Sequence, residues 1–150
     1  MGLGIAGAAT LSACSGGATT GASSTGGSAA TPPDVVAREV AIAEQSLIAR
    51  YSEAIAAIPA LAVHLEPIKA QHGEHLAAMG IEVPTAPPEP APKNAQAAIS
   101  MLRKAELVAS IDRQASCVTC ADSSLTRVLA FIAASEASHV AVLQKIEESR

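Results

Sequence analysis

The chain has 150 residues and a formal net charge of −4, and almost half of its residues are apolar. It contains no Trp, one Tyr and one Phe, so a hydrophobic core must be built from Ala, Leu, Ile and Val. Alanine favours helices and lets them approach closely, whereas β-sheet proteins usually need more aromatic side chains. The acidic balance excludes nucleic-acid binding, which requires a basic surface and, for single strands, stacking aromatic rings.

Residues 1–13, MGLGIAGAATLSA, form an uncharged run of apolar and small side chains. The run is too short for a permanent membrane-spanning helix and is typical of the hydrophobic region of a signal peptide. It departs from that pattern in one respect, because no Lys or Arg precedes Arg38. A start codon chosen too far downstream would explain the missing basic residues.

The segment LSAC, which ends at Cys14, resembles the lipobox of bacterial lipoproteins. That resemblance implies cleavage before Cys14, attachment of lipid to its thiol, and anchoring on the outer face of the cell membrane. Residues 15–33 are rich in Gly, Ser and Thr, so we expect the interval 14–33 to be a lipidated, flexible linker. The alternative is a disordered cytosolic tail that contains an incidental cysteine.

Four segments have apolar residues at helical spacing, which predicts four helices in one domain over residues 34–150. The predicted helices cover 34–58, 59–79, 94–116 and 125–146. Asp34 and Asn94 are suitable N-caps, and Gly80 is a suitable stop for the second helix. Pro67 lies inside the second helix, where it is expected to kink or split the helix.

The connections between the helices predict a bundle. The first and second helices are joined by a short turn, as are the third and fourth, which favours antiparallel neighbours. Residues 81–93 are rich in proline, so they are expected to be extended and able to cross the length of a bundle. The simplest architecture is all-α: an up-down-up-down four-helix bundle with both short turns at the same end.

The apolar face of each predicted helix is interrupted by ionisable side chains at positions where core residues are expected. They are Glu44 in the first helix, His72 and His75 in the second, Glu106 in the third, and Glu136 and His139 in the fourth. At a rise of about 1.5 Å per residue, the first two helices carry these groups roughly 20 Å from the first turn, and the last two roughly 16 Å from the second. We therefore expect all six side chains in one layer, since residues at i and i+3 share a helix face.

Such a layer has two interpretations. Buried carboxylates are costly unless they are paired, hydrogen-bonded or bound to metal. The layer is either a metal site or a polar network in which each His donates to a Glu, with help from Arg103 or Lys69. Tyr51 lies on the same stripe as Glu44, and a core aromatic whose hydroxyl bonds a polar group is its favoured interpretation.

The pattern over residues 35–146 resembles the ferritin-like family, in which two helices each carry a Glu, two carry Glu-x-x-His, and two iron or manganese ions are bound. Glu136 and His139 match a Glu-x-x-His pair, and Glu44 and Glu106 match the single positions. The second helix departs from the family with His-x-x-His, which leaves too few carboxylates to balance two ions without a bridging hydroxide. One ion is the alternative, and the added imidazole suits zinc, copper or iron.

Cys117 and Cys120 form a Cys-Val-Thr-Cys motif near the end of the third helix. In an exported domain a disulfide between them is expected, and a redox-active pair is the alternative. The sequence as a whole favours a membrane-tethered bundle that handles a transition metal or supports oxidation chemistry outside the cytoplasm. The alternative is a non-enzymatic lipoprotein that binds a protein or envelope component and has a metal-free polar layer.

Overall fold

The structure, a computed structural model, describes residues 31–150. The predicted signal peptide, Cys14 and the linker as far as residue 30 lie outside the described residues. The helices are α1 (Pro33–Ala57), α2 (Ala62–Met79), α3 (Ala95–Thr119) and α4 (Ser123–Glu148), with a 3-10 turn over Pro59–Leu61. The prediction of an all-α fold with four helices is confirmed.

The bounds of the first hairpin follow from proline and glycine. Pro33 takes a first-turn position that suits proline, so α1 begins before Asp34, which lies in the first turn rather than at the N-cap. Pro59 opens the 3-10 turn, and α2 continues through Pro67 without being split. It ends at Gly80, whose φ of 64° is a left-handed conformation that glycine adopts without strain.

Side-chain caps determine where α3 and α4 begin. Asn94 Oδ1 accepts a hydrogen bond from the backbone N–H of Ala97 at 2.8 Å, which confirms Asn94 as an N-cap. Asp122 Oδ1 accepts from the N–H of Leu125 at 2.6 Å, so α4 begins at Ser123 rather than at Leu125. An Asp just before the apolar pattern was the available sequence signal for this start.

Two hydrophobic clusters lie on either side of the polar layer. The first-turn core consists of Tyr51, Ala54, Leu61, Leu65, Ile68, Ala98, Ile99, Leu102, Leu143 and Ile146. The second-turn core consists of Val36, Ala37, Val40, Ala41, Met79, Leu129 and Ile132, with Cys117, Cys120 and Leu125 packed against it. The side chains are almost all aliphatic, as the composition required.

These clusters show in which direction each helix runs. The first-turn core joins the end of α1 and the start of α2 to the start of α3 and the end of α4. The two short turns therefore lie at opposite ends of the bundle, not at the same end as expected. The expected up-down-up-down order is thereby corrected to up, down, down, up. The expected hairpin partners are confirmed, because α1 packs along α2 and α3 packs along α4.

The proline-rich connection accounts for the reversed second hairpin. Residues 81–93 contain no helix or strand and must reach from the end of α2 to the start of α3 at the other end of the bundle. At about 3.1 Å per residue, this extended segment spans roughly 40 Å, which is about the length of α3. Arg50 of α1 holds the segment, since its Nη2 lies 3.0 Å from Glu89 Oε1.

The disulfide expected between Cys117 and Cys120 is not found, since both are free thiols in the described part of the chain. The thiols donate to different backbone carbonyls: Cys117 to that of Thr126 and Cys120 to that of Asp122, each at 3.6 Å. Burial raises the pKa of the Cys117 thiol, which disfavours the thiolate that disulfide exchange requires. The backbone of Cys120 pairs with that of Thr31 in an isolated parallel β-bridge, which holds the start of the described chain against this turn.

Helix α4 is long and apolar enough to cross a membrane by length and composition alone. It packs along α3, however, and supplies Leu129 and Leu143 to the two cores and Glu136 to the polar layer. Core helices of bundles have the same composition, so the length and apolar character of α4 do not indicate a membrane span.

Candidate metal centre

The six predicted site residues meet in one layer near the middle of the bundle. The fully buried members are Glu44, His72, Glu106 and Glu136, while His139 is 3% exposed. His75 lies at the edge of the layer, with its side chain 13% exposed. The layer forms despite the reversed second hairpin, because the residues on α3 and α4 lie near the middle of their helices. Reversing such a helix leaves their depth almost unchanged.

His72 lies at the centre of the layer, between two carboxylates. Its Nδ1 is 2.9 Å from Glu44 Oε2 and its Nε2 is 2.7 Å from Glu106 Oε1. A neutral imidazole donates through only one nitrogen, so donating to both carboxylates requires a protonated ring. Burial alone would lower the pKa of His72, but hydrogen bonds to Glu106 and Glu44 outweigh it and raise the pKa to about 9. Without metal, His72 is therefore a buried cation at neutral pH.

Glu106 accepts hydrogen bonds from three side chains. The Tyr51 hydroxyl donates to Oε1 at 2.5 Å, and His139 Nδ1 lies 3.2 Å from Oε2, in addition to the contact from His72. Burial alone would raise the pKa of Glu106, but the hydrogen bonds from His139 and His72 lower it to about 2. The interpretation of Tyr51 as a core aromatic with a hydrogen-bonded hydroxyl is confirmed.

The remaining imidazoles lie on one side of the layer. His139 Nε2 is 2.9 Å from Gln71 Oε1, so one ring nitrogen faces the layer and the other faces a surface amide. His75 Nδ1 is 3.4 Å from Glu44 Oε2 and makes no hydrogen bond to any described residue. The rings of His72 and His139 meet edge to face with their centroids 5.1 Å apart. Three imidazoles therefore converge from α2 and α4.

Arg113 is the site residue that sequence reasoning missed. It is only 3% exposed, and its Nη2 lies 3.1 Å from Glu44 Oε1 and 3.5 Å from Glu136 Oε1. Its position on the buried stripe of α3 was the one signal that could have revealed it. The basic residues expected in its place, Arg103 and Lys69, form ion pairs outside the layer instead.

Glu136 is the least satisfied member of the layer. Both of its carboxyl oxygens are buried, and neither accepts a hydrogen bond from the residues that the structure describes. Burial raises the pKa of Glu136 to about 8 although the charge of Arg113 opposes the shift, and the negative charges of Glu44 and Glu106 add to the rise. At neutral pH without metal, this carboxyl group is mostly protonated.

Oppositely charged groups of the layer face one another when no metal is bound. Burial alone would raise the pKa of Glu44, but the hydrogen bond from His72, the nearby His75 ring and the charges of His72 and Arg113 hold it well below its usual range. Glu44 and Glu106 are therefore the carboxylates, and His72 and Arg113 are the cations. This pairing explains how an Ala-rich bundle accommodates so many ionisable groups in its interior.

Two sets of three side chains have ligand atoms close enough to share a metal ion. Within each set these atoms all lie within 4.8 Å of one another. The sets are Glu44, His72 and His75, and His72, Glu106 and His139. We call the second the enclosed triad, because all three of its members are buried. Glu136 belongs to neither set, so its role as a ligand stays a prediction.

The donors fit a transition metal. Mixed imidazole and carboxylate donors suit zinc, iron, copper or manganese, whereas magnesium and calcium favour oxygen ligands. Tyr51 holds Glu106, and Gln71 holds the outer nitrogen of His139, which is how outer hydrogen bonds orient metal ligands. The oxygens of Glu136 accept no hydrogen bond from the described residues and have only the 3.5 Å ion-pair contact with Arg113, so they are further potential metal ligands.

Comparisons with known proteins add no family assignment. The chain matches no protein-family model, no curated protein and no solved structure. The likeness to ferritin-like bundles therefore depends on the helix pattern and on the site residues.

Proposed function

We propose that the bundle binds a transition-metal ion in its buried polar layer. The observation that carries this proposal is the enclosed triad of His72, Glu106 and His139, whose ligand atoms lie within 4.8 Å of one another. The triad draws its members from three different helices, so only the folded bundle assembles it. A three-residue donor set leaves a coordination position for water or a substrate, as in catalytic rather than structural metal sites.

We also infer a ferritin-like bundle. Ferritin-like folds have one long crossover connection, and here residues 81–93 supply such a crossover between two antiparallel hairpins. Glu136 and His139 keep the Glu-x-x-His spacing of that family. When bound, iron or copper would supply oxidation chemistry and zinc would supply Lewis-acid chemistry. The residues of the chain would bind and orient the ion and exclude bulk water from it.

The alternative function is binding of a protein or envelope component by a metal-free bundle. Hydrogen bonds among Glu44, His72 and Glu106 satisfy much of the layer without an ion. Apolar side chains are also exposed on the surface, among them Leu107, Val108 and Ile111 on α3 and Phe131 and Val142 on α4. A metal measurement distinguishes the two functions.

Stoichiometric metal binding by the full-length chain is the expected result. Metal would be removed with a chelator, after which iron(II), manganese, zinc and copper would be offered singly and quantified by mass spectrometry after dialysis. The double variant His72→Ala/His139→Ala should lose the metal, because it removes two of the three donors of the enclosed triad. The matched control is His64→Ala, which removes an exposed histidine from the same helix as His72 and should bind as the parent does.

Absence of stoichiometric metal from a parent chain with an intact helical spectrum would contradict the proposal. The layer would then be a structural network, and the exposed apolar side chains would become the functional surface. Equal loss of metal in His64→Ala would show that exposed histidines, not the layer, had bound it.

We further propose that lipid on Cys14 tethers the bundle to the outer face of the cell membrane. The support is the lipobox-like segment and the Gly- and Ser-rich stretch that follows it. In the native host, Cys14→Ser should abolish both the incorporation of labelled fatty acid and partitioning into detergent. Cys117→Ser, which removes a thiol from the folded domain, should change neither. Labelling that persists in Cys14→Ser would rule out the tether.

A further inference from the structure

Arg113 places a permanent positive charge inside the candidate metal centre. Its Nη2 lies 3.1 Å from Glu44 Oε1 and 3.5 Å from Glu136 Oε1, and the side chain is only 3% exposed. A guanidinium does not lose its proton in proteins. Unlike His72, Arg113 therefore cannot become neutral when a metal ion enters the layer.

We propose, on the basis of the metal-binding function above, that the centre holds one divalent ion and that the Arg113 guanidinium takes the place of a second. The ion lies in the enclosed triad. The guanidinium holds Glu44 and Glu136, the two carboxyl groups of the layer that the triad does not include.

The charge of the layer supports one ion. Even if Glu136 is ionised as well as Glu44 and Glu106, the layer carries at most three negative charges, and Arg113 neutralises one of them. At most two negative charges therefore remain for metal ions, and one divalent ion already balances them. A second divalent ion would leave an excess of positive charge in a buried layer, where uncompensated charge is costly.

The contacts of Glu44 and His72 also oppose a second ion. Glu44 is engaged through both oxygens, since Oε1 meets Arg113 and Oε2 meets His72 Nδ1 at 2.9 Å. His72 belongs to both sets of ligands, so two ions would require both of its ring nitrogens at once. Removing the guanidinium would free Glu44 and Glu136 to join His75 around a second ion.

The test counts zinc ions bound at saturation by the full-length chain. Equilibrium dialysis with zinc alone should give one ion per chain for the parent protein and two for Arg113→Gln. The matched control is Arg103→Gln, which removes a more exposed arginine from the same helix and should still bind one ion. Circular dichroism would verify that each variant remains helical.

Each outcome bears on a different statement. Two zinc ions in the parent chain would overturn the single-ion proposal and leave the metal-binding function standing. One ion in both the parent and a folded Arg113→Gln would overturn the role given to Arg113. No zinc in the parent, together with no other metal, would overturn the proposed function itself.

Glu136→Gln keeps the proposal testable if Arg113→Gln does not fold. This substitution nearly conserves shape and changes a carboxyl group outside the triad, so one zinc ion should still be bound. Glu106→Gln removes a ligand of the triad and should lose stoichiometric zinc. Loss of zinc in Glu136→Gln as well would place Glu136 among the ligands and overturn the division of the layer.

Discussion

Glu106→Ala should lower the free energy of unfolding of the metal-free chain by about 3–5 kcal/mol, the range for breaking a buried ion pair. The Glu106 carboxylate receives hydrogen bonds from Tyr51, His72 and His139, all of them buried. Its removal leaves these groups without their acceptor and leaves the His72 cation opposite a single carboxylate. The truncated side chain also leaves a cavity, which adds to the loss.

Urea denaturation at pH 6 with chelator present would measure this loss. The matched control is Glu74→Ala, an exposed glutamate on α2 close to the layer in sequence, which should change stability by less than about 0.5 kcal/mol. The loss of stability in Glu106→Gln should lie between those of the two alanine variants, because glutamine keeps the side-chain volume and some hydrogen bonding but not the charge. A Glu106→Ala variant as stable as the Glu74→Ala control would show that the network contributes little.

The stability of the metal-free chain should fall as the pH rises from about 5 to about 9. The pKa of His72 is raised to about 9, so its contribution is fully present below its unfolded value of 6.5 and is lost as the pH rises through 9. The pKa of Glu136 is raised to about 8, so between 4.5 and 8 the folded chain keeps a proton that the unfolded chain has released. Stability therefore falls with rising pH for two reasons: the favourable contribution of His72 is lost, and the ionisation of Glu136 opposes folding.

Each such proton contributes a slope of about 1.4 kcal/mol per pH unit over its interval. On the acid side the sign reverses, because the pKa of Glu106 is lowered to about 2 and its contribution is lost as the pH falls from 4.5 towards 2. We therefore expect the greatest stability near pH 5 in the absence of metal.

Urea denaturation at intervals across this pH range would test the prediction. Glu136→Gln should remove the part of the fall in stability between pH 5 and 8 that comes from Glu136. The part that comes from His72 should remain. Glu74→Gln, at the exposed control position, should leave the whole profile unchanged. Constant stability from pH 5 to 9 would contradict the buried ionisation states described for the layer.

The local pattern of the chain determined much of this protein. Apolar spacing predicted the four helices, Asn94 predicted the start of α3, and Gly80 predicted the end of α2. These features depend on backbone geometry and on near neighbours, which a sequence displays directly. The depth of the polar layer could also be predicted locally. Most of its side chains lie near the middle of their helices, and reversing the second hairpin leaves such positions at almost the same depth.

Tertiary structure alone decided how those side chains meet. Helical periodicity is the same in either direction, so only the tertiary packing of the two hydrophobic cores shows that α3 runs parallel to α2. Arg113 resembles any basic residue of a solvated helix until Glu44 and Glu136 approach it from two other helices. A buried charge is stable only beside distant partners, and contacts between distant residues arise from packing rather than from local sequence.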